Sequence, residues 1–136
     1  MLNEAKKRNK AEYVLGDAEN PCFKTLSFDA VMYITTLEFI QDYKKSIQEA
    51  SRILQPKGRL LIMLLNPTSR YFRQHINRKD SYFRKVRHRE LPEIVNYISD
   101  YFVMRTEYFL GIDDEDIFDS QSAEESSLYV IKGERK

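Results

Sequence analysis

One cysteine, Cys22, stands in 136 residues. A single thiol excludes an intrachain disulfide and fits a reducing compartment. It lies in a loop-like Asn-Pro-Cys-Phe run and reads as a half-buried small hydrophobe rather than a reactive thiol. No apolar run approaches the roughly 20 residues of a membrane span, and the amino terminus shows no signal-peptide apolar segment, so a cytoplasmic protein without a membrane partner is expected. The four glycines (Gly16, Gly58, Gly111, Gly133) are too far apart to build a glycine-rich anion-binding loop. Charge of neither sign dominates: the net charge of +1 selects no class of partner. No His, Cys or carboxylate spacing suggests a metal site, no Gly-x-Ser-x-Gly nucleophile motif is present, and there is no internal repeat. What these absences leave is one globular domain, residues 1–136, whose hydrophobic fraction of 42% is sufficient for a core.

The pattern along the chain is α/β. Residues 2–9 read as the tail of a helix. Tyr13-Val14-Leu15 is a brief apolar strand ending at the turn dipeptide Gly16-Asp17. From Phe28 to Ile34 the chain is almost wholly apolar after Asp29, as in a parallel strand covered on both faces. Ile40, Tyr43, Ile47, Ala50 and Leu54 recur at three- and four-residue steps and predict a helix that stops before the turn Gln55-Pro56-Lys57-Gly58. Leu60 to Leu65 is a second all-apolar strand, ending at Asn66-Pro67. Strand, helix and strand with short turns make a βαβ unit, which closes right-handed with parallel strands. Beyond it, Arg70 to Arg89 is basic, with eight Lys/Arg against Asp80, and reads as partly helical, partly loop. A short helix with Pro92 in its first turn follows, then a strand over Val103–Leu110, an acidic loop over Gly111–Ser126, a last strand over Leu128–Ile131, and a fraying end from Lys132. The basic and acidic segments could face each other or separate partners.

Three motifs carry a family likeness: Gly16-Asp17-Ala18-Glu19, then Ser27-Phe28-Asp29-Ala30-Val31, then Leu54-Gln55-Pro56-Lys57-Gly58-Arg59-Leu60. Each alone is ordinary turn chemistry; their order and spacing together are specific. The chain resembles the type 11 group of class I S-adenosylmethionine-dependent methyltransferases, closely over Met1–Pro67 and more loosely over Glu90–Lys136. The resemblance implies a Rossmann-like, partly parallel sheet with flanking helices, lacking the first strands of that fold. It implies S-adenosylmethionine as cofactor and methyl transfer to an unidentified, small-molecule acceptor. By the same likeness Asp17 and Ala18 lie beside the adenine, Met1 belongs to a Met-Leu pair near it, and Tyr33 and Ile34 end the central strand at the ligand edge. Asn66 and Tyr71 border the acceptor pocket. The family's glycine-rich loop and the acidic residue that holds the ribose have no counterpart here, so binding of the cofactor by this chain alone is in question.

The missing strands have a physical consequence. Tyr13–Leu15 would have no neighbour, and Ala30–Ile34 would become an apolar edge, which is an aggregation hazard unless covered. Three arrangements would cover it: residues 1–17 folding back, two copies pairing or exchanging elements, or a partner chain. A homo-oligomer or a partner on the 30–34 edge is therefore expected.

The candidate residues also have plain roles. Asp17 serves equally as a turn residue, Ile34 as core, Asn66 as a strand-ending hydrogen bonder, Asp29 as part of the entry to its strand, and His75 and His88 as surface residues. Three functions remain open: an enzyme completed by another chain, a non-catalytic remnant or interaction module, and nucleic-acid binding through Arg70–Arg89, where Tyr and Phe interleave with Arg and Lys.

Overall fold

The computed structural model describes residues 1–136. Strands β1 (Phe28–Ile34) and β2 (Leu54–Leu65) pair in parallel, and helix α2 (Tyr43–Ile53) carries the chain between them. The helix forms where the sequence predicts it. Asp42 caps it by accepting the Lys45 N–H at 3.0 Å, and its apolar stripe of Tyr43, Ile47, Ala50 and Ile53 is buried. β2 continues antiparallel into β5 (Ser126–Arg135), β5 into β3 (Phe102–Asp113), and β3 into the short β4 (Asp116–Phe118), giving the order β1-β2-β5-β3-β4. Helix α1 (Leu2–Arg8) precedes β1, while α3 (Arg70–Ile76) and α4 (Leu91–Ser99) lie between β2 and β3. The main core joins α2 and α4 to one face of the sheet through Tyr33, Leu37, Ile47, Leu60, Ile62, Leu64, Ile94, Ile98 and Phe102.

Several expectations need correction. Tyr13–Leu15 is not a strand: residues 9–27 pair with no strand, because three apolar residues without a neighbour cannot satisfy a ladder. β1 is not covered on both faces. Val31 and Tyr33 turn toward the helices, while Met32 is 62% and Ile34 46% exposed on the other side. Residues 1–17 do not fold back on this edge, and α1 buries nothing. The acidic segment is not all loop, since β3 reaches Asp113 and a hairpin turn at Asp114 (φ 47°) leads into β4. Nor does the end fray: β5 runs to Arg135 because β2 and β3 pair with it on both sides. The basic and acidic segments do face each other. Arg70 bonds Glu125, and Arg73 lies 3.6 Å from Glu124.

The Pro-x-Gly turn places its left-handed residue at Lys57 (φ 60°) rather than at the glycine. Gly58 serves close approach instead: a Cβ there would stand 2.8 Å from the Gln55 carbonyl oxygen. Gly58→Ala is therefore expected to lower stability by about 1–3 kcal/mol. Lys57→Gly should raise it by up to roughly 1 kcal/mol. Urea titration of both variants checks the pair.

Candidate functional site

Open α/β sheets bind ligands beyond the carboxyl ends of their parallel strands. At that end β1 stops on Thr35, whose φ of 44° is left-handed and costly for a β-branched residue, and Thr35 N–H donates to the Met63 carbonyl at 2.8 Å. The 3-10 turn Leu37–Phe39 follows, and then Asp42 opens α2.

The segment before β1 lies along α2, and two contacts fix it. Glu19 accepts the Asp42 backbone N–H at 2.8 Å, which brings Asp17 and Ala18 to the end where β1 stops. At the other end of α2, Arg52 donates to the Phe23 carbonyl at 2.9 Å and the Thr25 hydroxyl at 3.2 Å, while bonding Glu49 at 2.7 and 2.9 Å. Between these anchors Val14, Leu15, Gly16, Asp17, Ala18, Pro21, Cys22 and Phe23 line a mostly apolar cavity of about 290 Å³. Asp17 closes the turn there, with Oδ1 accepting the Glu19 N–H at 2.9 Å, so the turn reading of this residue is part of the structure and Oδ2 stays unengaged. A larger concavity of about 660 Å³ lies on the open sheet face among Ala30, Met32, Leu61 and Val103. The candidate site is the smaller one, because it adjoins the carboxyl end of β1.

The other expected residues are dispersed. Tyr33 is in the core, its hydroxyl 2.8 Å from Ser46 Oγ, and burial pushes that hydroxyl's pKa up. Ile34 faces the opposite side, as successive strand residues must, so the two cannot line one pocket. Met1 is fully exposed and lines no cavity with Asp17. Asn66 is buried, its amide donating to the Ala123 and Ser126 carbonyls at 2.7 and 2.8 Å while its oxygen accepts from Thr68. Tyr71 packs tilted against His75 on α3 and edge-on against Phe83 of the following 3-10 turn Tyr82–Lys85. His88 packs against Tyr43 with Nε2 2.7 Å from the Ile40 carbonyl, and His75 Nδ1 is 2.8 Å from the Tyr71 carbonyl. No group of His, Cys, Asp and Glu has the geometry to hold a metal ion. No helix is long and apolar enough to cross a membrane.

Sequence reasoning missed Arg52 and Glu38. Arg52 gave no signal beyond being a helical cation. Glu38 did give one: a lone acid within the apolar run Leu37-Glu38-Phe39-Ile40.

The sequence model described as "Methyltransferase domain" matches residues 1–62. A demethylmenaquinone methyltransferase of Thermotoga maritima is 39% identical over 74 residues, which are 53% of this chain and 32% of that protein. Among solved structures, an S-adenosylmethionine-dependent methyltransferase from Thermotoga maritima, described as a possible histamine N-methyltransferase, superposes with a TM-score of 0.82 at 26% identity, over 100% of this chain and 69% of its own. The chain is thus similar to the class I S-adenosylmethionine-dependent methyltransferases, in sequence over residues 1–62 and in fold over its whole length. It spans about a third of the curated relative it matches. The putative methyltransferase in complex with the Trm112 activator of Haloferax volcanii shares the fold, at a TM-score of 0.71 and 16% identity over 98% of this chain and 66% of its own.

Of the residues expected at the cofactor, only Asp17 and Ala18 line this cavity. A nucleobase-sized, apolar cavity with one free carboxylate oxygen suits an adenine. The four glycines stand apart and build no glycine-rich loop: Gly16 lies within the cavity turn, Gly58 in the β2 turn, Gly111 against Phe118 and Gly133 against Phe102.

The Arg52 clamp is testable. The guanidinium holds the Glu49 carboxyl below its ordinary range, so the pair stabilises the fold above the unfolded carboxylate pKa, and that contribution is lost as pH falls through the folded value. Arg52→Ala is expected to speed amide exchange over residues 21–27, with Arg52→Lys recovering little of the protection because the fork of bonds is lost. Exchange mass spectrometry of the three proteins measures it.

Proposed function

We propose that the chain provides the adenine-side and acceptor-side part of an enzyme that transfers a methyl group from S-adenosylmethionine to a small-molecule acceptor. The observation that carries the proposal is a coincidence of position. The family match includes Gly16-Asp17-Ala18, and these residues line the cavity that Glu19 anchors beside the carboxyl end of β1. When bound, the cofactor supplies a methyl group made electrophilic by its sulfonium. The protein's part is then alignment, which needs no universal catalytic side chain. Asp17 and Ala18 hold the adenine, and Ile34 acts from the free edge of β1; Met1, expected near the adenine, stands apart from this cavity and is assigned to it only once the cofactor is bound. Tyr33 and Asn66 act indirectly, by fixing the ends of β1 and β2, and Tyr71 faces the acceptor side. The methionine end is assigned to residues outside this chain, brought by a partner that covers β1. A cytoplasmic location follows from the same reading.

A non-catalytic interaction module is the second reading, and the exposed row Ala30, Met32, Ile34 favours it. Nucleic-acid binding is weaker, because Arg70 and Arg73 are engaged by Glu125 and Glu124. A salt-dependent shift of RNA in a gel would revive it.

Calorimetry separates the first two readings. The enzyme reading expects heat on adding S-adenosylmethionine, and an Asp17→Ala variant bound about five- to tenfold more weakly. Neither heat nor a thermal shift at about millimolar ligand would leave the isolated chain as an interaction module.

The edge is tested separately. Light scattering is expected to show an assembly at micromolar concentration that Met32→Lys with Ile34→Lys reduces to single chains. A wild-type monomer with fast amide exchange throughout β1 would remove the partner.

A further inference from the structure

Glu38 is the only charged residue that is buried, at 1% exposure. Its Oε1 accepts the Leu65 N–H at 2.9 Å, at the end of β2. Its backbone carbonyl accepts the N–H groups of Arg87 and His88 at 2.8 and 3.2 Å, in the connection ahead of α4. Three stretches that are distant in sequence therefore meet on one residue just past β1. Oε2 is buried with no hydrogen-bond partner. A leucine would fill such a position at lower cost, and a glutamine would avoid burying an ionisable group. Thr35, three residues earlier, adds a second unfavourable feature with its left-handed backbone. Two such costs stand together where open α/β sheets place ligands, which is the pattern of a site retained for use rather than for stability.

We infer that Glu38 is a positioning residue: its carboxyl holds the ends of β1 and β2 in one arrangement beside the crevice, and its Oε2 is the hydrogen-bonding position that a ligand's polar group completes. Burial pushes the carboxyl's pKa up, opposed in part by the Leu65 N–H, so the acid form persists over a wider pH range. The titratable and charged neighbours on the packed connection are Arg87 and His88. Both reach Glu38 through their backbone N–H groups, and the His88 ring is turned to the Ile40 carbonyl. The inference rests on the methyltransferase reading only for what occupies the crevice.

The test compares the wild-type chain with Glu38→Gln and Glu38→Leu, using amide exchange, thermal midpoints across pH and titration with S-adenosylhomocysteine. Glutamine can still accept the Leu65 N–H, so Leu65 exchange should stay within about threefold of wild type, whereas leucine should accelerate it by about tenfold. The wild type should lose stability relative to Glu38→Gln as pH rises above about 4, because its folded carboxyl binds the proton more tightly than the unfolded one. Glu38→Gln should keep ligand affinity within about threefold and Glu38→Leu should lose about tenfold or more. Unchanged Leu65 exchange in both variants overturns the positioning role, as does a wild-type pH profile identical to that of Glu38→Gln. If the exchange and pH results hold but none of the three proteins binds S-adenosylhomocysteine, the ligand half falls with the methyltransferase reading, and the positioning half stands. If the wild type and Glu38→Leu bind equally well, the ligand half falls alone.

Discussion

The parallel pairing of β1 with β2 is the constraint on which the remaining architecture depends. Parallel neighbours cannot be joined by a tight turn, so the chain must cross over, and α2 is that crossover. Its stripe of Tyr43, Ile47 and Ala50 joins Tyr33, Leu60, Ile62 and Leu64 in the core. Once both strands run the same way, their carboxyl ends fall together. Thr35 and Glu38, which follow β1, then bond to Met63 and Leu65 at the end of β2, just before Asn66. The same helix anchors the preceding loop at both ends, through the Asp42 N–H and through Arg52. The cavity around Asp17 is therefore a consequence of the crossover rather than an independent unit.

The crossover was legible because it is written in local terms. Two continuous apolar runs, one stripe at helical spacing and a proline-glycine turn sufficed to predict β1, α2 and β2. The failures share a physical cause, which is that a strand is made by its neighbours. Tyr13–Leu15 has strand composition and no partner. Lys132–Arg135 has the composition of a loose end but pairs on both sides, with Lys132 meeting Glu107 across the β3–β5 ladder. β4 is hidden in an acidic run because the hairpin depends on the backbone at Asp114, which composition does not report. The site divides in the same way. Asp17 and Ala18 belong to a contiguous motif and could be read. Arg52 acts on residues 29 and 27 positions away, and Glu38 on one 27 positions away, so their roles exist only in three dimensions.

The face of the sheet away from α2 and α4 is divided in composition. Toward β5 and β3 it carries Arg59 opposite Glu134, Lys132 opposite Arg105, and the Lys132–Glu107 ion pair, as an antiparallel sheet does where one side meets water. Toward β1 it carries Ala30, Met32 and Ile34 beside Arg59, Leu61 and Met63, an apolar strip with a single charge at its end. Parallel strands are ordinarily buried on both faces, and only this half of the sheet is parallel. A covering body therefore needs to reach only β1 and β2. Seated there, it would also stand at the free edge of β1, next to the end where the Asp17 turn, Thr35 and Glu38 lie. One surface could then bury the apolar strip and bring polar groups to the part of the crevice that the loop before β1 does not reach. The open strip and the rim that carries Thr35 and Glu38 meet at one boundary, the unpaired edge of β1.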